Sequence, residues 1–230
     1  MRDHLHNLAE SLPVDPMPLA GQWLAQAWDE NVQPNPNAMV LATLGEGSRL
    51  SARVVLCKDL VADPGYLVFY TNYRSRKGHE LDNHGRAAAV FHWDTLQRQV
   101  RVEGVVVRSP AAESDDYFDS RPWRSRLAAC ASQQSQPIGS REALLARWRE
   151  TAAELGTPDP LQAPEDEALP GLAIARPAHW GGFRLWADAV ELWVEGEHRL
   201  HDRARWTREL TGLGDGRFAT GPWHHHRLQP

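Results

Sequence analysis

Arg53 and Lys58 bracket the apolar run "RVVLCK", and the run "YLVFYT" is followed closely by Arg74, Arg76 and Lys77. In a chain of formal net charge −5, cations gathered at the ends of apolar runs suit a local anion. Arg76 and Lys77 open the short helix expected over "SRKGHELDNH", where free backbone N–H groups and the helix dipole already favour negative charge. A solvated helix start is the other reading of the same residues. Tyr117, Arg121 and Ser125 recur at intervals of four in "YFDSRPWRS". On a helix they fall on one side, where two hydroxyls and a guanidinium make a phosphate cup or plain surface decoration. In "EHRLHDR" the period of a strand places Arg199, His201 and Arg203 on one face, and such groups repel unless an anion or a cofactor lies over them.

Other chemistries find no support. There is no GxxxxGK[ST] loop, and no GxGxxG joins a strand to a helix; "GLGDG" at 212–216 reads as a turn. HExxH and EF-hand patterns are absent. "HHH" at 224–226 invites a metal, but strand alternation sends His225 away from His224 and His226, so an exposed strand end is preferred and no metal is expected. Cys57 and Cys130 form neither a CxxC pair nor a disulfide framework. The sequence pI near 6.1 argues against a nucleic-acid binder. No apolar run approaches the roughly 18 residues of a membrane span, and there is no secretory h-region, so a reducing cytoplasm is the default.

These residues need a scaffold. At 230 residues, with 42% hydrophobic and 24% charged, the chain is long enough for one large domain. We expect an arm over residues 1–14, which becomes ordered only against something else, and a single domain over 15–230. Asp15 and Pro16 start a helix whose apolar face holds Leu19, Trp23, Leu24, Ala27 and Trp28. Strands follow at 38–44, 49–58, 66–72, 87–93 and 97–108, with Asp63, Pro64 and Gly65 in the turn after the second. Many close strands joined by brief turns favour an antiparallel barrel over a doubly wound sheet. Helical segments run from 109 to about 155, a Pro-rich acidic surface loop covers 156–178, and strands return from residue 180. The ten Trp belong mostly to core or interface.

Taken together, "RVVLCK", "FYTNYRSRKG", "TLQRQVRVEG", "YFDSRPWRSRLAACASQQSQ", "WGGFRLW", "ELWVEGEHRLHDR" and the terminal "RLQP" resemble, in order and spacing, the pyridoxamine 5′-phosphate oxidase family from about residue 12 to 230. The resemblance implies a mainly β fold with flanking helices, an FMN-binding split β-barrel with Greek-key antiparallel strands. It implies a homodimer holding two FMN between its subunits. It also implies oxidation of pyridoxamine or pyridoxine 5′-phosphate to pyridoxal 5′-phosphate by hydride transfer from C4′ to the flavin, with oxygen reduced to hydrogen peroxide.

Matched motif by motif, Arg53, Lys58, Tyr70, Thr71, Arg76, Lys77, Gln99, Gln134, Ser135, Trp193 and Arg203 fall at FMN-contacting positions. Lys58, Tyr117, Arg121 and Ser125 fall at the substrate-phosphate site, and Arg199 and His201 at the catalytic positions against the pyridine ring. Arg53 and Lys58 differ in strand parity, so both serve one site only through a bulge or from the strand's end. Two features depart from the family: Leu5 stands where the arm's Arg-x-x-Tyr, begun here by Arg2, has its tyrosine, and the 156–178 loop with its acidic "PEDE" is long. The rivals are a phenazine-type split-barrel flavin oxidase and a non-catalytic barrel carrying flavin, haem or pyridoxal phosphate.

Overall fold

Alternation builds the sheet. In β1 (Ala38–Leu44) Met39, Leu41 and Thr43 are buried while their neighbours are not, and β5 (Arg98–Arg108) alternates in the same way. The structure, a computed structural model, describes residues 7–164 and 173–230. Arg2, Leu5 and the Glu165–Glu167 part of "PEDE" lie outside the described residues.

The other barrel strands are β2 (Leu50–Val61), β3 (Tyr66–Asn72), β4 (Arg86–Trp93) and β6 (Trp180–Val194). They run β6-β3-β2-β1-β4-β5, and β5 pairs back onto β6, closing a six-stranded barrel. All registered pairs are antiparallel. Closure removes free edges, and β6 is buried along nearly its whole length because it has neighbours on both sides and both faces. A bulge between Glu103 and Gly104 bends β5; a Cβ at Gly104 would lie 1.8 Å from the Trp186 carbonyl oxygen, so only glycine fits. Beyond β6 the sheet continues into β7 (Asp202–Thr207) and β10 (His224–Leu228), while β8 (Leu210–Gly214) and β9 (Arg217–Thr220) form a separate hairpin.

The chain divides into two compact units, residues 1–69, 80–108 and 183–230 in the first and 70–79 and 109–182 in the second. In the first, α1 (Met17–Asp29) buries Met17, Ala20, Trp23 and Ala27. Its buried face is rotated from the one expected, and Trp28 is 51% exposed. The Met17 N–H donates to Asp15 Oδ1 at 2.8 Å, although Pro16 occupies the cap position. Leu8 N–H donates to Asp202 and Trp206 Nε1 to the Pro13 carbonyl, so residues 8–13 are tied to β7.

The second unit holds α3 (Ala111–Asp119), α4 (Trp123–Ala131) and α5 (Arg141–Glu154) around Phe118, Trp123, Leu127, Ala152, Ile174 and Trp180. Ile174, expected on a surface loop, is 1% exposed in that core. Arg124 donates to the carbonyls of Pro160, Ala163 and Pro164, so the described start of the loop is pinned to α4.

Candidate active site

In the first unit, Gln99 on β5 stands opposite Trp193 on β6, which stands opposite Arg203 on β7. Directly opposed residues share a face, so three of the predicted residues form one row across the sheet. The His201 ring lies 4.7 Å from that of Trp193. Its Nδ1 accepts the Gly196 N–H at 3.2 Å, so a neutral imidazole carries its proton on Nε2.

The segment before β7 is not a strand. Residues 197–199 make a tight turn, with His198 at φ 55° and Arg199 at φ 67°. A Cβ at Gly196 would lie 1.9 Å from the Leu200 carbonyl oxygen, so glycine is what lets the turn close. The expected shared face of Arg199, His201 and Arg203 is therefore corrected: Arg203 alone is in the strand, and Arg199 is exposed at the tip of the turn.

Arg203 is clasped by a carboxylate. Its Nε and Nη2 donate to Glu191 Oε1 at 3.1 and 2.8 Å, and Nη1 donates to the Gln229 carbonyl at 3.1 Å. Glu191, 2% exposed, accepts Arg101 Nη1 at 3.0 Å on its other oxygen. Arg101 continues to Glu103, which also takes two hydrogen bonds from Arg205. The Arg205 hydrogen bond is the main reason the Glu103 carboxyl is held below the usual carboxylate range, and Glu103 in turn raises Arg205.

Arg53 is held in a similar way. Its Nη2 meets Glu80 Oε2 at 3.1 Å, with Glu80 only 6% exposed, and Nη1 donates to the Thr43 hydroxyl and the Leu41 carbonyl. The Thr43 hydroxyl donates to Glu80 Oε2 at 2.5 Å. Lys58 occupies a bulge: Cys57 pairs with Phe69 and Asp59 with Val68, leaving Lys58 as the extra residue. Of the two routes by which Arg53 and Lys58 could serve one site, a bulge is present at Lys58. Burial pushes the neighbouring Cys57 thiol up to about 12, which leaves it unreactive.

The second unit gathers the remaining predicted residues. α2 (Arg76–His84) is started by buried Ser75, whose hydroxyl accepts the Gly78 N–H at 3.2 Å and donates to the Asn72 carbonyl. Lys77 Nζ reaches Thr71 Oγ1 at 2.9 Å and Gln134 Oε1 at 2.6 Å, both neutral acceptors. Ser135 follows at φ 73°. Nearby, Tyr70 and Tyr117 stack at 4.0 Å, with the Trp180 ring 5.6 Å from Tyr70.

Arg121 lies with its Cζ 4.6 Å from the Trp180 ring centre. Its Nη1 is buried and has no hydrogen-bond partner among the described residues, and burial lowers its pKa from the usual arginine value. Tyr117, Arg121 and Ser125 do not share one helix, because Pro122 ends the α3 segment and starts α4. Arg121 and Ser125 nevertheless line one cavity of about 480 Å³ with Gln134, Asn72, Trp148 and Trp180.

Glu80, Glu191, Trp148 and Trp180 were not singled out from the sequence. Glu191 had a signal: it is the one carboxylate inside the apolar run "AVELWV". Among the described residues no helix is long and apolar enough to cross a membrane.

A closed antiparallel barrel with arginines gathered on its strands and helix starts is the architecture of the split-barrel proteins. A pyridoxamine 5′-phosphate oxidase-related, FMN binding protein from Nostoc punctiforme shares the fold, with a TM-score of 0.63 at 17% identity over 93% of this chain and 97% of that one. PhzG from Burkholderia lata, in complex with tetrahydrophenazine-1-carboxylic acid, aligns with a TM-score of 0.77 at 30% identity over 95% and 94%.

The sequence profile of pyridoxamine 5′-phosphate oxidase matches residues 24–153, and that of the pyridoxine 5′-phosphate oxidase C-terminal dimerisation region matches 180–230. A pyridoxine/pyridoxamine 5′-phosphate oxidase of Cereibacter sphaeroides is 43% identical over 94% of this chain and 95% of its own. Another, of Methylibium petroleiphilum, is 45% identical over 99% and 92%. The chain belongs to the pyridoxamine 5′-phosphate oxidase family.

Proposed function

We propose that the protein is an FMN-dependent oxidase of pyridoxamine and pyridoxine 5′-phosphates, working as a cytoplasmic homodimer in which residues 15–230 act as one domain. The observation that carries the reading is Arg121, a half-buried guanidinium whose buried Nη1 has no hydrogen-bond partner among the described residues; it interacts with the Tyr117 phenol and lines a cavity with Ser125, a donor set that a phosphate ester completes. The named relatives at 43% and 45% identity support the same substrates. The dimerisation-region match supports the homodimer, and two free cysteines suit a reducing compartment.

The residues also suit the flavin. Arg53, Arg76 and Lys77 supply cations for its phosphate, while the amides of Gln99 and Gln134 and the indole of Trp193 match a flat ring with polar edges. When bound, the flavin takes two electrons from the substrate and passes them to oxygen.

This chain's residues do the rest. Lys58, Tyr117, Arg121 and Ser125 fix the substrate phosphate, remote from the reacting carbon. Arg199 covers the pyridine ring from its turn, and His201, protonated at Nε2, orients the ring or moves a proton. The overall balance for the amine is amine ester plus oxygen and water giving aldehyde, ammonia and hydrogen peroxide; the alcohol ester releases only aldehyde and peroxide.

A phenazine-type activity is the second reading, favoured by the PhzG alignment and opposed by the Tyr117, Arg121 and Ser125 set. Oxygen uptake with pyridoxamine 5′-phosphate, in a yellow protein releasing about one FMN per chain, supports the oxidase. Absence of uptake and peroxide with both phosphate esters overturns it.

A further inference from the structure

The cavity of about 480 Å³ that holds Arg121 and Ser125 has a second wall. α5 supplies it: Arg141, Leu144, Leu145 and Trp148 fall at i, i+3, i+4 and i+7, one face of a helix, and all four line the cavity. The α4 residues that line it are alanines and serines, whose short side chains leave the space open. Among the described residues no carboxylate lines the cavity, while Arg121, Arg141 and Arg147 all do. In a chain of formal net charge −5, this space is locally cationic.

Trp148 is the member of this wall whose chemistry is unspent. Its ring packs against the core of the second unit, which includes Phe118 and Trp180. Its Nε1 is buried and has no hydrogen-bond partner among the described residues, as is true of Arg121 Nη1. An indole N–H can only donate, and a buried one normally has an acceptor; unmet, it carries a desolvation cost that an arriving acceptor relieves. A phenyl ring would pack without that cost, so packing alone does not account for the nitrogen. Both nitrogens are shut off from water while their side chains line the cavity, so an acceptor reaches them through it. Two unmet donors and the Ser125 hydroxyl around one cationic space suit a group made of acceptors, and a phosphate monoester is such a group.

We propose that Trp148 is a further specificity residue of the phosphate pocket, donating its indole N–H to the phosphate of the bound ester alongside Arg121 and Ser125. This rests on the phosphate-ester reading above and adds a residue outside the Lys58, Tyr117, Arg121 and Ser125 set. The two kinds of donor do different work. A guanidinium attracts any anion, whereas an indole N–H held by core packing has one direction and favours an acceptor seated at one place.

Trp148→Phe tests the proposal, since it keeps an aromatic ring in place and removes the N–H. In the FMN-loaded protein the kcat/KM ratio of pyridoxamine 5′-phosphate over pyridoxamine should fall about tenfold, expressed in KM rather than kcat. Calorimetric titration should show pyridoxal 5′-phosphate binding weakened by the same factor and pyridoxal binding unchanged. The melting point without ligand should hold, because no partner is lost. A ratio and an affinity equal to wild type overturn the role of Trp148 and leave the oxidase reading standing; a wild-type ratio near one overturns both. If Trp148→Phe does not fold, the wild type decides. By NMR of isotope-labelled indoles, pyridoxal 5′-phosphate should move an indole N–H signal downfield where pyridoxal does not, and the absence of a phosphate-dependent shift overturns the proposal.

Discussion

Arg203 and Arg53 in the first unit and Arg121 in the second are held in opposite ways. In the first, Arg203 and Arg53 are each gripped by a carboxylate that is itself almost wholly buried, Glu191 and Glu80. In the second, Arg121 is desolvated over Trp180 and one of its nitrogens has no partner among the described residues. An arginine clasped at Nε and Nη2 is fixed in direction and half neutralised before any ligand arrives. One with an unmet buried donor sits at a higher free energy until an anion reaches it. The difference fits the proposed tasks: the clasped cations match a resident cofactor, and the uncommitted one a substrate that comes and goes.

The sharpest break of this contrast is Glu191→Ala, which strands Arg203 and Arg101 without their shared carboxylate. It should destabilise the protein by about 1–3 kcal/mol, less than for a wholly buried pair because the Arg203 and Arg101 side chains remain 26% and 37% exposed. Flavin affinity, followed by fluorescence recovery on dilution, should fall with it. A melting curve unchanged from wild type would show that the clasp is not holding the strands.

Arg121→Ala should do the reverse. Stability should hold or rise slightly, because a desolvated cation is removed. The KM for the phosphate ester should increase about ten- to a hundredfold, as for loss of a charge-assisted contact of roughly 1.5–3 kcal/mol. Arg199→Ala, which removes an exposed side chain, should leave the melting point and bound flavin untouched. It should lower kcat in anaerobic flavin bleaching at saturating substrate. If Arg121→Ala slows that bleaching and Arg199→Ala does not, the two roles are reversed.

The smallest effect concerns Glu103. Its folded-state pKa lies below the unfolded one, chiefly through Arg205, so its contribution is present above about pH 4.3 and is lost as pH falls through the folded value. Thermal melts from pH 7 to pH 3 should show Glu103→Gln less stable than wild type at neutral pH, with the gap closing in acid. A gap that widens in acid contradicts the ion-pair account.

Much of this was legible in the sequence, and particular residues show where legibility ends. The barrel strands announce themselves because β-branched runs are separated by Gly, Asp and Asn turns, and β1 and β3 fall on their expected spans. β2 runs three residues past its expected end because the bulge at Lys58 lets pairing resume at Asp59. "EHRLH" alternates like a strand, yet His198 and Arg199 take positive φ, a conformation with no signature outside glycine and asparagine. Spacing of four places Tyr117 and Ser125 on one helix, but Pro122 between them caps a new helix, so the spacing does not carry across it. The carboxylate clasps depend on register between distant strands, which no local pattern reports.

Phosphate discrimination tests the central claim most directly. The ratio of kcat/KM for pyridoxamine 5′-phosphate over unphosphorylated pyridoxamine should be large in the wild type and collapse by about ten- to a hundredfold in Arg121→Ala. Both proteins should remain yellow and equally stable. A ratio near one in the wild type, or one that Arg121→Ala leaves intact, contradicts the assignment of the Arg121 guanidinium to the substrate's phosphate.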